Sequence, residues 1–317
     1  MTATPAAGAR NAYIGIACVL VGSIGFSGKT VIIKLAYQYG VDALTLLALR
    51  MLFALPFFLA MGWWAGGGAT PMARRDWIAV IALGFIGYYV GSYLDFAGLQ
   101  YISAGLGRLI LFLYPTLVLV FSALFLKQPI RRRHLVSLAL SYGGIALVFQ
   151  HEAALGESLP QTLFGAALVF AGAVTYAIYL IAGSRVVQNL GSMRFTAYAS
   201  ISASCFVIAH FMVTRGPGRL VVAHEVYWLT LVMAVLSTVL PLWLMAEGLK
   251  RIGANQVSLV ACIGPISTIA LAHVFLGEPV AGYQLAGAAL VLAGVMIISV
   301  KPQAAIRVEP DVPTARG

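Results

Sequence analysis

Charge is what this chain has least of. Only 9% of its 317 residues are Asp, Glu, Lys or Arg, against about 25% in an ordinary soluble domain. So few charges cannot cover a water-facing surface, which excludes a soluble globular protein and makes the bilayer the expected solvent. Acids are scarcer than bases: ten Asp and Glu face twenty Lys and Arg, a net charge of +10. In a soluble chain that surplus would suggest nucleic acid. In an apolar chain the placement of the bases matters more, and no nucleic-acid partner is expected. Cysteine is confined to Cys18, Cys205 and Cys262, all inside apolar stretches. An odd number of distant cysteines argues against a disulfide framework or zinc site and for small core side chains. The sequence also lacks a phosphate-cradling Gly-rich loop with its Lys-Ser/Thr, so ATP is not expected to drive it directly. No metal-ligand spacing and no catalytic constellation is visible. Neither an enzyme nor a cofactor is expected.

Apolar sequence is what fills the chain: 61% hydrophobic residues and a mean hydropathy of +0.94. A membrane helix needs about 20 mostly apolar residues. Ten such segments can be placed, at 12–36, 43–64, 77–98, 103–126, 134–150, 162–183, 195–214, 226–248, 254–276 and 283–300. Short connections join them, among them Tyr39-Gly40-Val41-Asp42, Gly191-Ser192 and Gly216-Pro217-Gly218. The first segment follows Arg10 and runs past Gly22-Ser23 to Leu35 without a clear cleavage site, so it reads as a helix rather than a signal peptide. The last 17 residues, 301–317, carry Pro302, Pro310 and Pro313 and read as a cytoplasmic tail.

The sequence repeats itself. Residues Leu99 to Val148 realign on Leu249 to Ile298 without a gap, at a constant offset of 150. Pro115 falls on Pro265, Phe125-Leu126 on Phe275-Leu276, and Gly144 on Gly294. Two five-helix units follow, 11–150 and 161–300. The Lys/Arg bias sets their orientation. With a cytoplasmic N-terminus, Arg74, Arg75, Lys127, Arg131 to Arg133, Arg185, Arg194, Lys250, Arg251 and Lys301 fall inside, and only Arg215 and Arg219 outside. Five is odd, so the second unit enters from the opposite face. The expected fold is all-α, ten transmembrane helices in a 5+5 inverted-topology repeat, with both termini cytoplasmic. Such pairs support alternating access. Gene duplication in a structural membrane protein is the plainer alternative.

At this point the residues resemble a known family. Gly22-Ser23 followed by Lys34, Leu49-Arg50, Ala82-Leu83-Gly84, Gln100-Tyr101-Ile102-Ser103-Ala104, Pro115 and Phe125-Leu126 occur in one half. Tyr176-Ala177-Ile178-Tyr179, Arg185, Arg251-Ile252-Gly253-Ala254, Pro265 and Phe275-Leu276-Gly277-Glu278 occur in the other. Their order and duplication resemble the EamA-type, ten-helix transporters of the drug/metabolite transporter superfamily. The resemblance implies a central cavity, an inner-membrane location and movement of small metabolites, often export. One departure is that Gly277-Glu278 has Lys127-Gln128 as its first-copy counterpart.

Polar residues inside membrane helices are functional candidates. Ser23, Ser27, Thr30 and Lys34 share one face of helix 1, which meets either a cavity or neighbouring helices through Ser and Thr hydrogen bonds. Lys29 lies on a different face. Gly84, Tyr88, Ser92 and Asp95 form a stripe on helix 3, and Arg108 lies at a similar depth to Asp95 in helix 4. An Asp95–Arg108 pair is expected, either a structural salt bridge or a substrate-binding, proton-responsive pair. The repeat aligns Asp95 with Met245 and Arg108 with Ser258, so neither charge belongs to the shared scaffold. Arg50 lies on the same side of the membrane, in a scaffold or binding role. Lys29, Lys34, Arg50 and Arg108 outweigh Asp95 there, which favours a cargo with a carboxylate over lipophilic cations.

Glu247 precedes Arg251 by four residues, an interfacial ion pair or a second proton-coupling carboxylate beside Asp95. His210 and His273 read as hydrogen-bonded packing residues or as pH-responsive groups. Trp63, Trp64, Trp77, Tyr227, Trp228 and Tyr283 fit interface anchors. Tyr88, Tyr93, Tyr114, Tyr176, Tyr179 and Trp243 lie deeper, to wrap a cargo or pack a core. Pro115 and Pro265 are expected hinges. The whole reads as a secondary active transporter, an exporter of a small metabolite such as an amino acid or related carboxylate. Substrate binding is expected at Arg108, Asp95, Tyr88, Ser92, Lys34, Thr30, Tyr179 and Arg50, and the partners are the bilayer, the cargo and protons. Multidrug efflux is the alternative within transport; a membrane-embedded enzyme or scaffold is the alternative outside it.

Overall fold

Backbone amides in hydrocarbon must find partners within their own segment, and an apolar chain of this kind solves that with helices. The computed structural model describes residues 5–67, 71–127, 129–155 and 158–299, so the 301–317 tail lies outside the described residues. Among the described residues every regular element is helical. Eight helical stretches of the described residues are long and apolar enough to cross a membrane, against ten expected segments. The other two segments are also helical. One is Gly282–Ile298, short of the length criterion. The other is α7, Arg132–Leu155, whose apolar run is bounded by His134 and by Gln150-His151-Glu152.

The first half of the chain holds α1 (Pro5–Tyr37), α2 (Ala43–Gly66), α3 (Arg74–Leu83), α4 (Gly91–Gly98), α5 (Ala104–Leu111), α6 (Tyr114–Leu126) and α7. The second holds α8 (Leu159–Leu190), α9 (Ser192–Thr214), α10 (His224–Ala234), α11 (Leu240–Ala261), α12 (Ile263–Leu276) and α13 (Gly282–Ser299). Asp42 caps α2, its Oδ1 accepting from the Leu44 and Thr45 amides at 3.1 and 3.2 Å. That fixes the turn out of α1, which Gly40 makes at φ +73°.

The halves interleave. Gly25 of α1 lies against Pro241, Gly22 against Met245, and Gly15 against Ile252. These glycines let α1 and α11 approach closely and antiparallel; a Cβ on Gly25 would meet the Leu236 carbonyl at 2.7 Å. Ser27 then meets Gly264, so the chain has returned along α1 by that residue. α7 and α13 pack by the same device, Gly144 against Gly287.

Two features recur at the offset of the sequence repeat. Gly84–Val90 and Val235–Val239 are both π-helical, joining α3 to α4 and α10 to α11. Both α5 and α11 end before a proline. Pro115 has no N–H to give the carbonyl of Leu111, the last residue of α5, and Pro265 none to give Ala261, the last of α11. The prolines therefore start new helices after a break rather than kinking continuous ones, and Pro115 occupies the first turn of α6, where the missing donor costs nothing.

Candidate functional site

The breaks and the π segments converge on one cavity of about 270 Å³. Its wall takes Ser23, Phe26 and Lys29 from α1, Arg50 and Phe58 from α2, and Gly87, Tyr88, Gly91, Ser92 and Asp95 from the stretch through α4. It takes Arg108, Phe112 and Tyr114 from the α5–α6 break, and Tyr176, Ser200, Ser237, Thr238 and Met245 from the second half. The π segment explains how helix 3 presents this face. A wider turn rotates the residues beyond it, so Gly87, Tyr88, Gly91, Ser92 and Asp95 all reach the wall. Gly84, expected on the same stripe, packs on α9 instead, where a Cβ would meet the Ala199 carbonyl at 2.5 Å.

Asp95 is 4% exposed, and its Oδ2 accepts from Lys29 Nζ at 2.8 Å. Its ion pair is therefore with Lys29, not the expected Arg108. Lys29 lies off the Ser23/Ser27/Thr30/Lys34 stripe and faces the cavity together with Ser23 and Phe26, three residues apart in turn along α1. Of the stripe itself only Ser23 lines the wall. Ser27 donates to the Gly264 carbonyl at 2.8 Å, the interhelical alternative, and Thr30 is buried away from the cavity. Arg50 is 7% exposed; its Nε donates to Thr238 Oγ1 at 3.2 Å and its guanidinium lies 5.6 Å above the Phe96 ring. Arg50 Nη1 and Arg108 Nε are both buried without a hydrogen-bond partner. Orphaned charged donors in an apolar wall are costly unless an acceptor arrives.

Aromatic rings build the rest. Tyr88, Tyr114 and Tyr176 reach the cavity. Tyr179 does not; it stands behind Tyr88 at 5.0 Å between ring centroids and stacks on Phe195. Tyr93 packs on His210, and Trp243 is 55% exposed on the outer surface of the bundle. Trp63 and Trp64, 85% and 74% exposed, fit the interface anchors expected of them.

A second polar cluster sits at the end of the bundle marked by Asp42. There Ser103 caps α5 through its Oγ, which accepts from the Leu106 amide at 3.1 Å. Glu152 of α7 accepts from the Ser103 amide and hydroxyl at 2.6 and 2.7 Å, and Glu278 accepts from the Ala104 amide at 3.1 Å. Lys34 donates to the carbonyls of Leu99 and Ile102 at 3.3 and 3.0 Å. Lys34 thus belongs to this cluster and a groove it shares with Asp42 and Glu278, not to the cavity. The two carboxylates lie at the positive N-terminal end of α5, where anions are favoured. Nothing in spacing along the chain brings residues 152, 278 and 103 together; the packing of α7 and the α12–α13 connection against α5 does. Glu247 accepts from Arg251 at 2.7 Å, the expected i,i+4 pair, away from the cavity.

Comparison with known proteins agrees with this architecture. The model of the EamA-like transporter family matches twice, over residues 13–150 and 163–300. The chain belongs to the EamA-like transporter family. An uncharacterized transporter of Bacillus subtilis, YcbK, is 30% identical over 287 residues, covering 88% of this chain and 90% of its own. An uncharacterized transporter of Archaeoglobus fulgidus is 23% identical and covers 87% of this chain and 94% of its own. A crystal structure at 18% identity matches with a TM-score of 0.62, covering 92% of this chain and 97% of its own, a likeness of fold. This EamA-like chain is accordingly a multi-pass membrane transporter, embedded in a bilayer and acting on a small molecule.

Proposed function

We propose that this chain is a secondary active exporter of a small carboxylate-bearing metabolite, of the amino-acid or organic-acid class, in the inner membrane. It would cross the membrane ten times as a 5+5 inverted repeat with both termini in the cytoplasm, and work by alternating access. The observation that carries the reading is the charge of the cavity: Lys29, Arg50 and Arg108 line it against one acid, Asp95. A cationic, low-dielectric cavity attracts anionic groups and repels lipophilic cations. The helix breaks before Pro115 and Pro265 both reach the cavity wall, at Leu111 and Ala261, which suits two halves that rock about it. The Ser103, Glu152 and Glu278 cluster would close the outer end. Of the two coupling carboxylates expected, Asp95 is the better candidate, since it lines the cavity and a proton on it would release Lys29.

Counterflow in proteoliposomes tests the reading. Carboxylates should exchange, a proton gradient should drive net movement, and Arg108→Ala should abolish both. Exchange of lipophilic cations alone would overturn it in favour of multidrug efflux, for which the aromatic wall would then be the binding surface.

A further inference from the structure

The polar groups of the cavity are unevenly engaged, and the imbalance narrows the cargo. Among the described residues Asp95 is the only acid on the wall, and Lys29 holds it at 2.8 Å with side-chain exposures of 14% for the lysine and 5% for the aspartate. Arg50 and Arg108 sit on different helices, α2 and α5, and each turns one buried N–H donor to no acceptor. Three cations against one anion leave two positive charges to be balanced. They belong to two guanidinium groups on different helices, each with its own unmet donor, so two anionic groups would meet them one to one.

We propose that the cargo is a small organic dianion, two carboxylates at the ends of a short carbon skeleton, one on Arg50 and the other on Arg108. This rests on the transport reading above and sharpens its substrate class. A cavity of about 270 Å³ holds a skeleton of a few carbons, and the Phe112, Tyr114 and Tyr176 rings supply an apolar bed for its methylenes. A zwitterionic amino acid fits less well. Its ammonium needs an acid, and the one present is taken. Winning Asp95 would strand Lys29 as an unpaired buried cation.

The test holds chain length constant and varies charge. Purified full-length protein in detergent is titrated with glutarate, pentanoate, 5-aminopentanoate, pentane-1,5-diamine and, as a compact dianion, methyl phosphate, and binding is read from the melting temperature. Glutarate should bind at least tenfold more tightly than pentanoate or 5-aminopentanoate, and the diamine should give no shift. Arg50→Gln and Arg108→Gln should each weaken glutarate about tenfold and bring it level with pentanoate. Should either variant fail to fold, the ranking on the parent protein decides the matter alone. Binding of 5-aminopentanoate as tight as glutarate overturns the dianion while carboxylate transport stands. Methyl phosphate binding more tightly than glutarate overturns the two-point bridge in favour of one compact dianion. Binding of the diamine alone overturns the dianion and the carboxylate reading together. Absence of any shift across the series overturns the dianion.

Discussion

The two halves of this transporter share a scaffold and divide the labour. Each has a π-helical segment at the equivalent depth, a break before an equivalent proline, and a left-handed residue closing the helix that follows. Yet every charged side chain on the cavity wall comes from the first half: Lys29, Arg50, Asp95 and Arg108. The second half answers with hydroxyls, thioether and a ring, at Ser200, Ser237, Thr238, Met245 and Tyr176. Duplication therefore supplies the frame, and divergence between the copies supplies the charge. The pair Lys29–Asp95 accordingly forms within one half.

The sharpest way to break this comparison is to unbalance that pair. Lys29→Met or Asp95→Leu alone leaves a buried charge unpaired and should cost about 3 kcal/mol of stability. The double variant removes both charges and should unfold close to the parent in a detergent melt. A smaller effect is expected from giving the second half a charge. Met245 realigns on Asp95 and lines the same cavity, so Met245→Asp should weaken carboxylate counterflow roughly tenfold, about 1.4 kcal/mol, whereas Met245→Leu should not.

The helix ends offer a milder contrast. Asp42 caps α2 with its side chain, while Gly191 stands before α9 at φ +79° with no side-chain cap. Burial alone would push the Asp42 carboxyl up. Hydrogen bonds from Thr45 and Leu44, with Arg215 nearby, outweigh it and hold the group below its ordinary value. A depressed carboxyl contributes stability above its unfolded value, near pH 4, and loses it as pH falls through the folded one. Asp42→Ala should lower stability by about 1 kcal/mol at neutral pH and flatten that acid limb of the melting curve.

The smallest effect concerns the one sequence departure from the family pattern. Lys127 ends α6 at φ 52°, the conformation Gly277 adopts at φ 68° at the end of α12. The copies keep the turn and differ only in how comfortably the residue fits it. Lys127→Gly should raise the melting point slightly, by about 0.5 kcal/mol, as strain relieved exceeds the entropy glycine adds to the unfolded chain. Gly277→Lys should lower it similarly.

Much of this was legible in one dimension. Scarce charge announced the membrane, and apolar runs gave helices because a backbone in lipid has few other options, although α11 runs from Leu240 to Ala261 across the expected 249–253 connection. The repeat located both breaks, since a proline removes its donor wherever it stands. Arg50, Arg108, Asp95, Tyr88 and Ser92, all candidates from the sequence, line one cavity. The partner of Asp95 was not legible, because facing Lys29 depends on the roll of α1 against α11, set by Gly15, Gly22 and Gly25 rather than by a polar stripe. The π segments were invisible for the same kind of reason. No residue pattern demands them; they follow from how Gly84 and Gly87 seat against α9 and Tyr179. Glu278 stood in the sequence only as part of the Phe275-Leu276-Gly277-Glu278 motif, and nothing in spacing joined it to Glu152.

By itself, then, the sequence determined the solvent, the helical class, the duplication and the family, all properties of composition and local order along the chain. Only the tertiary structure decided which charges meet. Local order says which face of a helix a residue occupies. What that face touches depends on the packing of helices far apart in sequence, and that packing pairs Lys29 with Asp95, leaves a donor of Arg50 and of Arg108 free, and draws Glu152 and Glu278 to one helix end.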